Sequence, residues 1–91
     1  MTTRKAHGPA IKGFRKMLDV SQDELAIVAG ISPSHLHRIE TGERAASAQV
    51  ILAIAARLQA EANAKGIKYL IDDNAITYPV EVIYQDNQLA A

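Results

Sequence analysis

Apolar side chains recur at helical spacing near the start of the chain. Ile11, Phe14 and Leu18 follow one another at intervals of three and four residues. This periodicity is typical of an amphipathic helix, and it predicts one over about 10–19. Pro9 precedes the first of these positions, and proline is well tolerated in the first turn of a helix.

Two further helices are predicted from capping signals. Ser21-Gln22-Asp23-Glu24 is a capping box, in which serine accepts an orphan backbone N–H and glutamate reaches back, so a helix is expected over about 22–29. Gly30 follows where a helix end favours a left-handed residue. Ser32-Pro33 supplies an N-cap followed by proline, which predicts another helix over about 33–40.

A fourth and longer helix is predicted after Ser47. Its apolar positions keep helical spacing, and alanine-rich sequence extends it to about Lys65, where Gly66 stops it. Val50 and Leu52 lie off its main apolar stripe. We expect these two side chains to pack on another part of the chain or on a second subunit.

The periodicity becomes that of strands in the last third of the chain. Segments 68–71 and 76–78 flank the polar run 72–74, which predicts a hairpin with a polar turn. Residues 79–84 are rich in β-branched side chains, and Pro79 places that segment at an edge or a bulge. Residues 85–91 are expected to be frayed.

Length and composition restrict the class of protein. The chain has 91 residues, which allow one domain. We divide it into a flexible basic arm over 1–9, a helical domain over 10–65 and a strand-like extension over 66–91.

The chain has no cysteine, which excludes a disulfide scaffold and a cysteine-based zinc site. No apolar run approaches the ~20 residues of a membrane span, and no apolar stretch of a secretory signal follows the basic start. These features are typical of an intracellular soluble protein.

A net charge of zero hides an uneven distribution. Residues 1–44 hold seven basic and five acidic side chains, whereas residues 45–91 hold three and five. The first sixteen residues carry five cations and no acid. The neutral total argues against nucleic acid as a partner, but the basic start fits either a solvated, disordered segment or an arm that neutralises phosphates.

The most informative segment is 21–42. Two predicted short helices are joined there by Gly30-Ile31-Ser32, which is the helix-turn-helix arrangement. The motifs SQDELA, AGIS and HRIETG within this segment resemble the Cro/lambda-repressor-type (XRE) helix-turn-helix family, and the resemblance covers roughly residues 10–60. It implies a mainly α, lambda-repressor-like bundle that binds palindromic operator DNA as a homodimer through the major groove. Family members usually continue into a fifth helix, whereas this chain turns toward strand.

The resemblance assigns roles to individual residues. Candidate base contacts lie at the start and outer face of the second motif helix, at Pro33, Ser34, His37 and Arg38. Arg38 is the candidate for bidentate contact to guanine, with a phosphate contact as the alternative. The candidate phosphate contacts are Gln22, Ser32, His35, Thr41, Arg44, Arg4 and Lys5. Arg15 and Glu40 match a structural ion pair of the family.

Enzymatic and metal chemistry find little support. His35 and His37 are two positions apart, so on a helix they point to different faces and make a poor metal pair. Ser34 lies near histidines but lacks an orienting acid and an oxyanion pocket. No catalytic residue, metal or cofactor is therefore expected.

The role of the C-terminal part is left open. Residues 67–84 could pair across a dimer or form an intrachain hairpin over the core. Leu89-Ala90-Ala91 resembles the end of a bacterial degradation tag, although chance alanine-rich ends are common. Two functions fit the whole chain. One is a phage or mobile-element repressor or Cro-like regulator, and the other is an antitoxin that grips a toxin through residues 67–91.

Overall fold

The computed structural model describes residues 2–81, and most of them are helical. The α-helices are α1 (Gly8–Met17), α2 (Gln22–Ala29), α3 (Pro33–Thr41) and α4 (Ala48–Ala64). A short 3₁₀ helix spans Asp73–Ile76, and two strands, β1 (Thr2–Ala6) and β2 (Thr77–Glu81), form a small sheet. The predicted mainly α bundle with a short C-terminal β extension is confirmed.

Serine caps and left-handed glycines set the helix boundaries. The hydroxyls of Ser21, Ser32 and Ser47 each accept the backbone N–H three residues later, at 3.0–3.1 Å. Gly30 and Gly42 end α2 and α3 with φ angles of 73° and 85°. Because a side chain is strained at such angles, glycine terminates these helices at little cost. The predicted starts of α2, α3 and α4 are therefore confirmed.

Aliphatic side chains from every helix form one core. The largest fully buried ones are Ile11, Leu18, Leu25, Leu36, Ile39, Ile54, Leu58 and Ile76. Burying each stabilises the fold by roughly 1.5–3 kcal/mol relative to leaving it exposed. Val50 packs against this core, whereas Leu52 is 57% exposed. None of the helices within residues 2–81 has the length and apolar content needed to cross a membrane.

The predicted flexible arm is wrong for residues 2–6, which form β1. This strand pairs with β2 in antiparallel register, from Thr2 opposite Glu81 to Ala6 opposite Thr77. The backbone N–H of His7 continues the ladder by donating to the carbonyl of Ile76 at 2.8 Å. The C-terminal strand therefore pairs with the N-terminal segment and not with residues 68–71.

Residues 68–71 are not a strand because α4 satisfies their backbone. The side chain of Gln59 donates to the carbonyl of Tyr69 at 3.0 Å and accepts the N–H of Ile71 at 2.7 Å. The ring of Tyr69 packs edge-on against Phe14, with centroids 5.4 Å apart. Beyond them, Asp72 caps the 3₁₀ helix where a hairpin turn was predicted.

A charged network on one side of the bundle joins α2 to α4. Arg57 bonds to both Glu24 and Glu61, and Lys65 pairs with Glu61. Hydrogen bonds from Arg57 and then Lys65 hold the pKa of Glu61 below its ordinary value. Glu24 and Glu61 are therefore both paired with cations of the same chain.

Two glycines of α1 provide a matched test of packing. A Cβ on buried Gly8 would overlap the backbone of Glu40, whereas a Cβ on exposed Gly13 would meet nothing within 4 Å. We expect Gly8→Ala to destabilise the protein by about 1–3 kcal/mol or more through overpacking. Gly13→Ala should stabilise it by roughly 0.5–1 kcal/mol, because glycine is unfavourable within a helix. Urea denaturation measures both changes, and equal stabilities would contradict the close approach of α1 and α3.

Candidate nucleic-acid interface

One shallow groove contains all four candidate base-contact residues. It has a volume of about 360 Å³ and is lined by Pro33, Ser34, His37 and Arg38 of α3 together with Gln22 at the start of α2. The short connection between the two helices brings the N-terminus of α2 beside the outer face of α3. The structure thus places one candidate phosphate contact next to the candidate base contacts.

The groove has the chemistry of a surface that meets DNA. None of its lining residues is acidic. Arg38 is exposed and has no ion pair among residues 4–80, so its guanidinium donors face solvent. Ser34 adds a hydroxyl that donates or accepts, and Pro33 offers apolar contact. Donors, an acceptor and an apolar surface are the features by which base edges are read.

A buried ion pair holds the helices around this groove. Arg15 donates from Nε to Oε2 of Glu40 at 2.8 Å and from Nη2 to Oε1 at 3.1 Å. The side chains are 11% and 2% exposed. Arg15 also donates to the carbonyl of Val20 at 3.2 Å. The pair therefore links α1 to α3 and to the connection that leads into α2.

Gln22 belongs to the same network. Its Nε2 donates to Oε1 of Glu40 at 3.2 Å. Because an amide nitrogen carries two N–H groups, one donor remains for another acceptor. Gln22 is thus held at the rim of the groove and is not a freely solvated cap residue.

The other candidate phosphate contacts on the motif lie outside this groove. His35 is half-buried, and its backbone N–H bonds to the cap hydroxyl of Ser32. Thr41 donates its hydroxyl to the carbonyl of Arg38 at 3.1 Å. The backbone N–H of Arg44 reaches that same carbonyl at 3.1 Å. The loop after α3 is therefore folded back onto the last turn of the helix.

The basic residues of the N-terminal segment lie beside that loop. Arg4 and Lys5 line a second cleft together with Arg44. Arg4 is not a free cation on an arm: its Nε donates to the hydroxyl of Thr77 at 2.7 Å, and its Nη2 donates to the carbonyls of Thr77 and Asn74. Much of its hydrogen-bonding capacity thus tethers β1 to the C-terminal part.

Sequence reasoning missed two residues that position these surfaces. The Nδ1 of His7 accepts the N–H of Ala10 at 3.0 Å and so caps α1, while its ring packs edge-on against Tyr78. Histidine is not among the favoured N-cap residues, so only the following Gly8-Pro9 gave a signal. Tyr78 lines the second cleft, and nothing in the local pattern indicated that placement.

Residues 4–80 contain no group of three or more histidines, aspartates or glutamates that could hold a metal ion.

Comparison with known proteins identifies the family. A helix-turn-helix family model (HTH_3) matches residues 11–62, which is more than half of the chain. The chain belongs to the Cro/C1-type helix-turn-helix family. The solved structure of the clp gene regulator ClgR from Corynebacterium glutamicum is similar to it, with 26% identity and a TM-score of 0.52. That similarity covers 64% of this chain and 69% of the ClgR chain. No curated protein sequence matches the chain.

Membership of this family identifies the two helices that border the groove. The helix-turn-helix motif consists of two short helices joined by a turn, and in this chain these helices are α2 and α3. The family and the regulator it resembles support a DNA-binding transcription regulator and point to a non-enzymatic role.

The Arg15–Glu40 pair makes a testable prediction about stability. Arg15→Met should cost about 3–5 kcal/mol, because it leaves the buried carboxylate of Glu40 without its partner. The double variant Arg15→Met/Glu40→Leu should be markedly more stable than the sum of the single changes implies. Urea denaturation of the two single variants and the double variant gives the coupling.

A partly exposed ion pair serves as the control. Arg57→Met removes the partner of Glu24 and Glu61 and should cost only about 0–1 kcal/mol, because such pairs are screened by solvent. An additive cycle at Arg15 and Glu40 would contradict the linking role of the buried pair.

Proposed function

We propose that this helix-turn-helix protein is a sequence-specific regulator of transcription, of the repressor or Cro-like type found in phages and mobile elements. The observation that carries the proposal is the acid-free groove in which Gln22 of α2 meets Pro33, Ser34, His37 and Arg38 of α3. Such a regulator acts on DNA inside the cell. The similarity to ClgR, which is named as a gene regulator, supports a role in gene control.

Base recognition is proposed to come from α3 in the major groove. The guanidinium of Arg38 is the proposed bidentate donor to O6 and N7 of guanine, and such a contact gives about 1–3 kcal/mol of discrimination. Ser34 and His37 supply further polar contacts, and Pro33 fits against a thymine methyl group. All four side chains are exposed, so no rearrangement of the core is needed for them to reach base edges.

Phosphate contacts are proposed to fix the docking angle. The open N–H of Gln22 and the free backbone N–H groups at the start of α2 suit a phosphate oxygen. Ser32, His35 and Thr41 are the other proposed contacts of the motif. Ser32 accepts its cap bond through oxygen, so its own O–H stays available as a donor.

A homodimer on a palindromic operator is the proposed assembly. α3 has nine residues, so one copy reads only a short stretch of a single major groove. A second copy related by a two-fold axis would read the matching half-site about 34 Å away. Because two half-sites are read, the dimer would discriminate its operator from other DNA more strongly than the four side chains of one copy can.

The alternative function, an antitoxin, has less support than the regulator. The reason lies in the described part of the C-terminal segment. Tyr69 packs on Phe14, Ile71 and Ile76 are buried, and β2 pairs with β1 of its own chain. Residues 67–81 are therefore packed and paired within their own chain. This weakens the hypothesis that they bind a toxin. Residues 82–91 lie outside the described residues, and so do the predicted frayed end and the Leu89-Ala90-Ala91 signal.

The test is selection of binding sites from random duplex DNA. The wild-type protein should enrich a motif with dyad symmetry. Arg38→Ala should relax the preference at a guanine position, and Ser34→Ala should change the preference at a neighbouring one, because each removes a direct base contact.

Lys68→Gln is the matched control for charge. Lys68 is exposed and lies outside the groove, so its replacement should leave the enriched motif unchanged. Enrichment of a motif without a dyad that neither α3 variant alters would overturn the proposal of a sequence-specific dimer.

A further inference from the structure

A recess opens beside the start of α4. It has a volume of about 190 Å³ and lies between the beginning of α4 and the part of the chain formed by β1, the 3₁₀ helix and β2. A cavity of roughly 150 Å³ holds a benzene molecule, so the recess has room for the side chain of one leucine. Its lining residues are Arg4, Ala46, Ala48, Ile51, Leu52, Asp73 and Thr77.

A leucine protrudes at the border of this recess. Leu52 lines the recess and is nevertheless 57% exposed. Val50, which also lies off the main apolar stripe of α4, packs against the core instead. Leaving a leucine side chain in water forgoes the free energy of its burial. A protruding apolar side chain and a hole that can hold one therefore lie next to each other on the same surface.

The exposed face of α4 lacks charge. The two charged residues of this helix, Arg57 and Glu61, are paired with each other. A helix face turned to solvent ordinarily carries charged side chains, whereas every exposed residue of α4 is uncharged. Four of them, spaced by four residues from Ala48 to Ala60, form one apolar stripe. The exposed residues are Ala48, Gln49, Leu52, Ala56, Ala60, Asn63 and Ala64.

The recess and the leucine fit a second copy of this chain. In a two-fold contact the same patch occurs on both subunits, so Leu52 of each copy can enter the recess of the other. A partner of different sequence would have to supply its own leucine and its own hole, whereas this face contains both. Arg4 and Asp73 give the recess one cation and one acid. The contact therefore brings no net charge into the interface and allows opposite charges to face each other.

The position of the recess agrees with the reading of two half-sites. Ala46, at the recess, comes five residues after Thr41, the last residue of α3. Five residues of chain span at most about 18 Å. A two-fold axis that passes beside Ala46 therefore keeps the ends of two α3 helices within roughly 36 Å of each other, which is compatible with half-sites about 34 Å apart.

We propose that the uncharged face of α4 is the homodimer interface, and that Leu52 of each copy inserts into the recess of the other, beside Ala46, Ala48 and Ile51. The inference rests on the proposed function, since it locates the contact through which the proposed homodimer forms. The groove formed by Gln22 and α3 shares no lining residue with the recess. The contact therefore leaves both α3 helices free to meet DNA.

Sedimentation of Leu52→Gln tests the interface. Analytical ultracentrifugation gives the dissociation constant of the dimer, for the free protein and for the protein on an enriched duplex. Leu52→Gln should raise this constant about tenfold or more, because both leucines of the dimer lose their apolar contact. Leu52 is exposed in a single copy, so the variant should fold normally, and thermal melts check this.

Leu70→Gln is the matched control. Leu70 is 71% exposed and lies outside the recess. Its replacement makes the same chemical change at a more exposed leucine, so the dissociation constant should stay at the wild-type value. An equal loss of association in both variants would contradict a contact that is specific to α4.

Cross-linking gives a second readout. The chain contains no cysteine, so a thiol introduced by Leu52→Cys can be joined only to that of another copy. A short bifunctional maleimide should yield a covalent dimer of Leu52→Cys, because the recess that receives the side chain is bordered by the same residue of the other copy. Leu70→Cys, treated at the same protein concentration, should stay monomeric on a denaturing gel.

The outcomes separate this inference from the proposed function. Equal association of the wild type and Leu52→Gln, with no covalent dimer of Leu52→Cys, would overturn the α4 interface. A dyad motif enriched by the same protein would then leave the proposed regulator intact, with its dimer contact elsewhere. Association that depends on Leu52 in a protein that enriches no motif would support the interface and refute sequence-specific regulation.

Discussion

The buried carboxylate of Glu40 is the constraint on which the arrangement of the N-terminal helices depends. A buried charge is tolerated only when it is paired and hydrogen-bonded, and Glu40 receives two bonds from Arg15 and one from Gln22. Its backbone meets Gly8 so closely that no Cβ fits between them. One residue at the end of α3 therefore fixes α1 through its main chain and its side chain, and it reaches α2 through Gln22.

This constraint bears more on geometry than on net stability. Replacing a buried ion pair by apolar residues is often neutral or even stabilising, so such a pair is weak evidence for stability. Here the pair has a definite geometric effect, because Glu40 lies on the helix that carries Arg38 and bonds to Gln22 at the rim of the same groove. The amide donor of Gln22 and the side chains of α3 are thus held at fixed positions relative to one another. A surface that binds DNA requires such fixed positions.

Local sequence signals predicted the helices well, whereas the long-range contacts were beyond their reach. The caps at Ser21, Ser32 and Ser47 act within one turn, whereas the four candidate base contacts were implied by the family resemblance of the motif and stay a prediction. The pairing of β1 with β2 joins opposite ends of the described chain. The side chain of Gln59 satisfies a segment that looked like a strand. Both depend on which surfaces meet after folding, and no local periodicity encodes that.

The neutral net charge does not describe the surface that DNA would meet. Glu40 is neutralised by Arg15, Glu24 and Glu61 are bound by Arg57, and Asp72 caps the 3₁₀ helix. These acids are bound to partners on the same chain, whereas Lys5, Arg38 and Arg44 line two clefts whose described lining residues include no acid. Because exposed charges are screened beyond about 8–10 Å at physiological salt, a phosphate responds to the nearest side chains and hardly to the total. A protein of zero net charge can therefore present a basic face, and its weak long-range attraction leaves discrimination to short-range contacts.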